Sequence, residues 1–288
     1  MSNRRLSQHD TKASALQYVA THTASQIMLH DGGERCKPFI LGLPMGRIPL
    51  EVYSALVSLH KSGQVTFRNV VTFNLDESVL WSSSDDSRSF HTYMHEHFFR
   101  RIDIAPENVH FPGEEGCRRV GEYEWLIDDL GGINLMLCGV GDNDHVAFNE
   151  PLGASENLTT SAVPTLLANR LAGSSDGNNV DPAKSVTVGL KAMLESKELV
   201  IVALGKEKAA VVKNAIEGPG GLKSPLGMLL LKHPNAVLVV DKEAAGELSS
   251  NTLEVGPVLT SFLPPSHSDM CRCTLTQTQK ALSPRRGD

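Results

Sequence analysis

The stretch INLMLCGVGDNDHVAFNEP, residues 133–151, begins as an apolar run and ends in a cluster of polar and charged side chains. The apolar part is too short for a typical helix, and its Ile, Leu and Val content is typical of a strand buried on both faces of a parallel sheet. Ligands of open parallel sheets bind beyond the carboxyl ends of the strands. The stretch therefore predicts a central strand followed by a functional site.

Four further apolar runs repeat this pattern along the chain, each followed by an amphipathic stretch: PFILGLP (38–44), VVTFNL (70–75), ELVIVALG (198–205) and AVLVVD (236–241). Apolar residues recur at helical spacing in SRSFHTYMHEHFFRRI (87–102) and in KEKAAVVKNAIEG (206–218), which ends at a glycine suited to a helix C-terminus. We therefore predict a single-domain α/β fold, an open and mostly parallel Rossmann-like sheet with helices on both faces.

Two segments lack this alternation. Residues 152–185 carry AGSSDGNNVDPAK, a run of turn-forming residues that indicates a surface loop rather than a domain boundary. From about Ser249 onward the chain is polar, contains proline and has no periodic apolar face. We place the α/β domain at residues 1–250 and predict that residues 251–288 form a largely disordered C-terminal extension.

Composition and charge narrow the classes of partner. The chain has 33 acidic and 27 basic residues and a net charge of −6, which disfavours a nucleic-acid or anionic-membrane surface because both select a basic face. No apolar run approaches the ~20 residues of a membrane span, and the N-terminus lacks the apolar segment of a secretory signal. Five scattered cysteines fit a reducing compartment. We expect a cytoplasmic protein with a small-molecule partner.

Residues suited to binding an anion follow two of the five apolar runs, PFILGLP (38–44) and ELVIVALG (198–205). In GLPMGRIPLEVY, Gly46 and Arg47 lie in a loop that leads into a helix, and free backbone N–H groups at such a turn can bind an anion such as phosphate. An ordinary glycine turn is the alternative. In LGKEKA, Lys206 and Lys208 fall in the first turn of a helix, where a positive charge is unfavourable without an anionic ligand. Solvated surface lysines are the alternative there.

Two adjacent carboxylates, Asp76 and Glu77, follow the run VVTFNL. Adjacent side chains of an extended segment point to opposite sides, so at most one of the two should face a given site. Both could instead be polar residues that cap the next loop.

His145 lies in the cluster after the run INLMLCGVG, close to Asp142, Asn143 and Asp144. A histidine beside carboxylates is typical of general acid–base catalysis, because the carboxylate selects the tautomer and raises the pKa. Glu150 could hold the other ring nitrogen. One alternative is a loop histidine without a catalytic role. Another is a metal site formed by Asp142, Asp144 and His145, although the spacing of a calcium loop is missing.

Taken in order, these stretches resemble the glucosamine-6-phosphate deaminase (isomerase) family, which is related to the 6-phosphogluconolactonases. The resemblance covers roughly residues 15–250, and HVAFNEP (145–151) is its most specific segment, because the lactonases continue differently after the histidine. It implies an enzyme of amino-sugar metabolism, and we expect a hydrolase and isomerase. The implied reaction takes glucosamine 6-phosphate to fructose 6-phosphate with loss of ammonia, without metal or organic cofactor.

The resemblance also implies the catalytic roles of matching residues. Asp76 would move a proton between the first two carbons of the open-chain sugar, and His145 would assist ring opening while Glu150 holds it. Where the family has a catalytic aspartate this chain has Asn143, and Asp144 replaces the neighbouring glycine. Lower activity is therefore expected.

The phosphate site implied by the resemblance comprises Lys208, Arg170 and the backbone of the loop around Gly46. The family's loop reads Thr-Gly-Gly-Thr, whereas this chain reads MGRI (45–48), which loses two hydroxyl donors and gains Arg47. Phosphate could still bind through backbone N–H groups and the guanidinium.

Two other functions stay open because folds host more than one chemistry. One is a phosphosugar-binding or regulatory protein that has lost turnover. The other is an isomerase or lactonase acting on an amine-free sugar phosphate, against which AFNEP speaks. The sequence also leaves a homo-oligomer open.

Overall fold

Strands and helices alternate along most of the chain. The computed structural model describes residues 5–33, 37–78, 89–113, 122–149, 151, 161–164, 184–218 and 224–255. The elements within these ranges are, in order, β1 (Arg5–His9), α1 (Lys12–Gly33), β2 (Phe39–Leu43), α2 (Arg47–Lys61), β3 (Val70–Asn74), β4 (Asp76–Ser78), α3 (Phe90–His97), β5 (Val109–His110), α4 (Glu122–Asp129), β6 (Leu135–Gly139), β7 (Ser161–Pro164), β8 (Lys184–Thr187), α5 (Leu190–Glu195), β9 (Leu199–Ala203), α6 (Ala209–Glu217), α7 (Pro225–Lys232), β10 (Ala236–Asp241) and α8 (Ser250–Val255).

The main sheet has seven strands in the order β1-β10-β9-β6-β2-β3-β5, and all of its pairings are parallel. The five predicted apolar runs form its five inner strands, so the prediction of a parallel α/β sheet is confirmed. From β2 the chain proceeds through β3 to β5 on one side, then returns to β6 and proceeds through β9 to β10 on the other. The topological switch point therefore lies between β2 and β6, where ligands of such sheets bind.

Helices cover both faces of this sheet. Alternate residues of the inner strands enter two separate apolar clusters, because successive side chains of a strand point to opposite faces. Along β9, for example, Leu199 and Ile201 belong to the cluster that includes residues of α4 to α7. Val200 and Val202 belong to the cluster that includes residues of α1 to α3. The predicted two-sided arrangement is confirmed.

A second, antiparallel sheet of order β4-β8-β7 was not predicted. Asp76 of β4 pairs with Thr187 of β8, and Ser161 of β7 pairs with the same residue from the other side. The prediction that residues 152–185 form only a surface loop is therefore wrong at β7 and at the start of β8. The rest of that segment lies outside the described residues.

Two predicted helices are shorter than their apolar patterns. α3 begins after Ser89, whose hydroxyl accepts from the N–H of Thr92 at 2.9 Å, and it gives way to a 3-10 turn at Phe99–Arg101. α6 ends at Glu217 with Gly218 as its C-cap, so the glycine lies at the helix C-terminus as predicted, but for a different reason. Its φ of −74° is ordinary, whereas a Cβ at this position would clash with the carbonyl oxygen of Asn214.

The C-terminal boundary proposed at residue 250 falls at the start of α8. The turn before α8 is tied to α6, because the backbone N–H and the hydroxyl of Ser249 both donate to Oε1 of Glu217, at 2.8 and 2.7 Å. Residues 256–288 lie outside the described part of the chain. No helix in the described ranges is long and apolar enough to cross a bilayer.

Candidate active site

The predicted site residues follow four neighbouring strands of the main sheet. Lys208 follows β9, Asn143 and His145 follow β6, Gly46 follows β2, and Asp76 follows β3. Because these strands are parallel, their carboxyl ends lie along one edge of the sheet. We call the loops after β2, β6 and β9, together with the start of β4 after β3, the candidate site. The two that flank the topological switch point carry Gly46 and His145.

The adjacent carboxylates of β4 have different environments. Glu77 is 1% exposed, and its two oxygens accept from the backbone N–H groups of Phe90, at 3.0 Å, and His91, at 2.7 Å. Glu77 therefore satisfies the N-terminus of α3, where unpaired N–H groups favour a negative charge. Asp76, on the opposite side of the strand, has no part in this contact.

Asp76 is a buried carboxyl group, and one of its two oxygens has no hydrogen-bond partner among the described residues. The residue is 6% exposed, and the oxygen concerned is Oδ1. Burial raises the pKa of Asp76 to about 8, and the nearby charge of Glu77 contributes to the same shift. A group with this pKa can both accept and donate a proton near neutral pH, as a general acid–base catalyst requires.

The loop after β6 is held by hydrogen bonds at both ends. The N–H of Gly141 donates to the carbonyl of His145 at 2.9 Å, and the amide of Asn149 donates to the carbonyl of Val188 at 2.9 Å. The N–H of Phe148 donates to the hydroxyl of Thr187 at 3.1 Å. Since Thr187 also pairs with Asp76, β8 joins the two catalytic candidates. Sequence reasoning missed Thr187, because this pairing is long-range.

His145 packs against the backbone of its own loop. A Cβ at Gly141 would clash with the imidazole, so glycine is required there by the close approach of the ring. Nδ1 of His145 contacts Oδ1 of Asn143. Partial burial and, to a smaller extent, the charge of Lys208 lower the pKa of His145 to about 4, while the charge of Asp142 acts in the opposite direction. The imidazole is therefore neutral near neutral pH.

Asp144 occupies a strained and buried position in the same loop. Its φ of 72° lies in the left-handed region, which is unfavourable for a residue other than glycine. The residue is buried and its Oδ1 has no partner among the described residues; burial raises its pKa. The described residues include no group of three or more His, Cys, Asp or Glu side chains that could hold a metal ion.

The two lysines after β9 differ in exposure. Lys206 is exposed, whereas Lys208 is only 9% exposed although both lie in the 3-10 turn Lys206–Lys208. Nζ of Lys208 donates to Oδ1 of Asp142, in the loop after β6. Of the two predicted anion-binding lysines, Lys208 is thus the one with charged partners in the candidate site. The sequence does not indicate its pairing with Asp142.

The loop after β2 is stabilised by apolar contacts. Gly46 is the N-cap of α2, and its φ of 140° requires glycine. Met45 packs against Phe90 and Phe148, so the residue at the position of a lost hydroxyl donor links this loop to α3 and to the loop after β6. Arg47 is exposed and makes no ion pair with the described residues.

Two predicted site residues, Glu150 and Arg170, lie outside the described residues, so their predicted contacts remain predictions.

Comparison with known proteins identifies the family. The family of glucosamine-6-phosphate isomerases and 6-phosphogluconolactonase matches residues 10–239. The chain belongs to this family. The glucosamine-6-phosphate deaminase of Aliivibrio fischeri is 40% identical over 227 residues, which cover 76% of this chain and 83% of the relative. That of Borreliella afzelii is 36% identical over 259 residues, which cover 87% and 94%.

Solved structures of both branches of the glucosamine-6-phosphate isomerase/6-phosphogluconolactonase family share this fold. A monomeric glucosamine-6-phosphate deaminase matches with a TM-score of 0.71 at 33% identity, over 84% of this chain and 99% of the other. The 6-phosphogluconolactonase of Thermotoga maritima matches with a TM-score of 0.60 at 20% identity, over 83% and 99%. The hydrolase class expected from the sequence fits the lactonase branch and is not retained.

Proposed function

We propose that this protein converts glucosamine 6-phosphate and water to fructose 6-phosphate and ammonia. The observation that carries the proposal is the environment of Asp76, a buried carboxyl group with a pKa of about 8 at the carboxyl edge of the sheet. The relatives named glucosamine-6-phosphate deaminase, 36–40% identical for the two described above, support this substrate.

In the proposed reaction, His145 first opens the sugar ring. Its neutral imidazole takes the proton of the C1 hydroxyl and returns it to the ring oxygen, which breaks the bond between that oxygen and C1. Asp76 then removes the proton from C2 and delivers it to C1, while the C1 carbonyl oxygen takes up a proton lost by the C2 ammonium group, so that C1 becomes a hydroxymethyl carbon and C2 an iminium carbon. Water adds its oxygen to C2, and the nitrogen takes up both protons of that water and leaves as ammonium, the protonated form of ammonia.

We assign substrate binding to the loops on either side of these two residues. Lys208 would bind the phosphate together with Arg170, Arg47 and the backbone N–H groups beyond Gly46, and Glu150 would orient His145. A partly buried ammonium and free N–H groups at a helix N-terminus suit a phosphate dianion. We further propose that the protein acts in the cytoplasm, because its scattered cysteines fit a reducing compartment.

A second candidate is a phosphosugar-binding protein without turnover. The contact of Asn143 with His145 favours it, because an amide supplies no negative charge to stabilise a protonated imidazole. The loop after β2 also favours this candidate, because Met45 packs against apolar side chains where the family's phosphate loop has a hydroxyl donor.

A substrate panel distinguishes these candidates. The protein would be incubated with glucosamine 6-phosphate, glucose 6-phosphate and 6-phosphogluconolactone, and ammonia, ketose phosphate and lactone loss would be measured. We expect ammonia and fructose 6-phosphate in equal amounts from glucosamine 6-phosphate alone. Calorimetric binding of glucosamine 6-phosphate without ammonia release would support the binder instead, and lactone hydrolysis would contradict both.

A further inference from the structure

Lys208 and Asp142 form an ion pair with unequal exposure. The side chain of Lys208 is 11% exposed, whereas that of Asp142 is 76% exposed. A largely buried ammonium needs a negative partner, because desolvation of an unpaired charge is costly. An exposed carboxylate can turn into solvent at little cost. Loss of the ion pair would therefore leave the buried charge of Lys208 without compensation, whereas solvent would still stabilise the charge of Asp142.

Both residues lie close enough to His145 for their charges to act on its pKa, in opposite directions. The ion pair is consequently part of the candidate site, at the carboxyl ends of the neighbouring strands β6 and β9. A phosphate bound to Lys208 would bring two negative charges close to the carboxylate of Asp142. Like charges at such short range repel, so phosphate and Asp142 cannot share the ammonium without loss of affinity.

We propose that Asp142 is an internal competitor of the substrate phosphate for Lys208, and that it thereby sets the affinity of the site for phosphorylated sugars. The inference rests on the proposed function for the identity of the anion. When a phosphate ester arrives, the ammonium of Lys208 transfers from the carboxylate to the phosphate, and the side chain of Asp142 turns into solvent. Removal of the carboxylate should therefore strengthen phosphate binding. Structural damage would weaken phosphate binding instead.

The test is calorimetric titration of inorganic phosphate at fixed ionic strength, since salt screens exposed charges. Asp142→Asn should bind phosphate about 3- to 10-fold more tightly than the native protein, the range expected when a partly exposed ion pair no longer has to be broken. Asp142→Glu, which keeps the charge, should bind within about 2-fold of the native protein.

Glu207→Gln is the matched control. It removes the same charge from the turn that contains Lys208, but Glu207 is exposed and forms no ion pair with Lys208 in the described structure. Its phosphate affinity should stay within about 2-fold of native. The proposal is overturned if Asp142→Asn binds phosphate no more tightly than native, if Glu207→Gln has the same effect, or if neither native nor Asp142→Asn binds. Tighter phosphate binding without ammonia release from glucosamine 6-phosphate would reject the proposed function and leave this inference in place.

Discussion

The side chain of Asn143 places a neutral amide oxygen against Nδ1 of His145. The pKa of His145 is lowered to about 4, first by burial and then by the charge of Lys208, while Asp142 opposes the shift. A carboxylate at position 143 would stabilise the protonated imidazole and raise this pKa. The resemblance to the deaminases places an aspartate there, so Asn143 makes His145 a weaker base.

Asn143→Asp should raise kcat about 10-fold or more, because a general base works best when its pKa lies near the working pH. KM should change little, since the new charge acts on protonation rather than on the phosphate. The measurement is steady-state kinetics on glucosamine 6-phosphate between about pH 5 and pH 9. The kcat of the variant should fall below about pH 6, where His145 becomes protonated. A slower variant would mean that Asn143 suits the native chemistry.

At the scale of the element, β4 separates two adjacent carboxylates by the alternation of an extended strand. Glu77 accepts hydrogen bonds from two backbone N–H groups at the N-terminus of α3, whereas Oδ1 of Asp76 is buried without a hydrogen-bond partner among the described residues. One of the two groups therefore stabilises the fold, and the other stabilises it only while protonated.

The effects of Glu77→Ala and Asp76→Asn on unfolding should have opposite signs. Glu77→Ala should lower the free energy of unfolding by about 1–3 kcal/mol, because two buried N–H groups lose their acceptor. The pKa of Asp76 is raised to about 8, so its contribution is present at low pH and is lost as the pH rises from about 4 to about 8. Asp76→Asn removes that loss, and its advantage over the native protein should grow with pH.

Urea unfolding at about pH 5 and pH 8 measures both effects. The native protein serves as the reference at each pH. An Asp76→Asn advantage that does not grow with pH would contradict the raised pKa, and a Glu77→Ala variant as stable as native would contradict the capping role.

At the scale of the whole molecule, the inner sheet could be predicted because burial on both faces demands a continuous apolar strand. The edge strand β1, RLSQH, carries polar residues and has no such pattern. β5 has two residues and is too short to show any. The pairing of β4 with β8 joins residues 76–78 to residues 185–187, and no local signal reports a contact of that separation.

The candidate site could be predicted in part, because its residues follow the apolar strands that the sequence reveals. Asp76, His145 and Lys208 follow apolar runs, so their edge of the sheet could be inferred from the sequence. The choice of Asp76 over Glu77 depends on where α3 begins, thirteen residues beyond Glu77. The pairing of Lys208 with Asp142 spans 66 residues and required the order of β6 and β9 in the sheet.

The most direct test of the proposed reaction compares native protein with Asp76→Asn on glucosamine 6-phosphate, with turnover followed by ammonia release and binding measured by calorimetry. If Asp76 moves the proton between C2 and C1, kcat should fall about 10²–10⁴-fold while the dissociation constant stays within about 3-fold of native. An Asp76→Asn variant that releases ammonia at the native rate would contradict the assignment of Asp76 as the acid–base group.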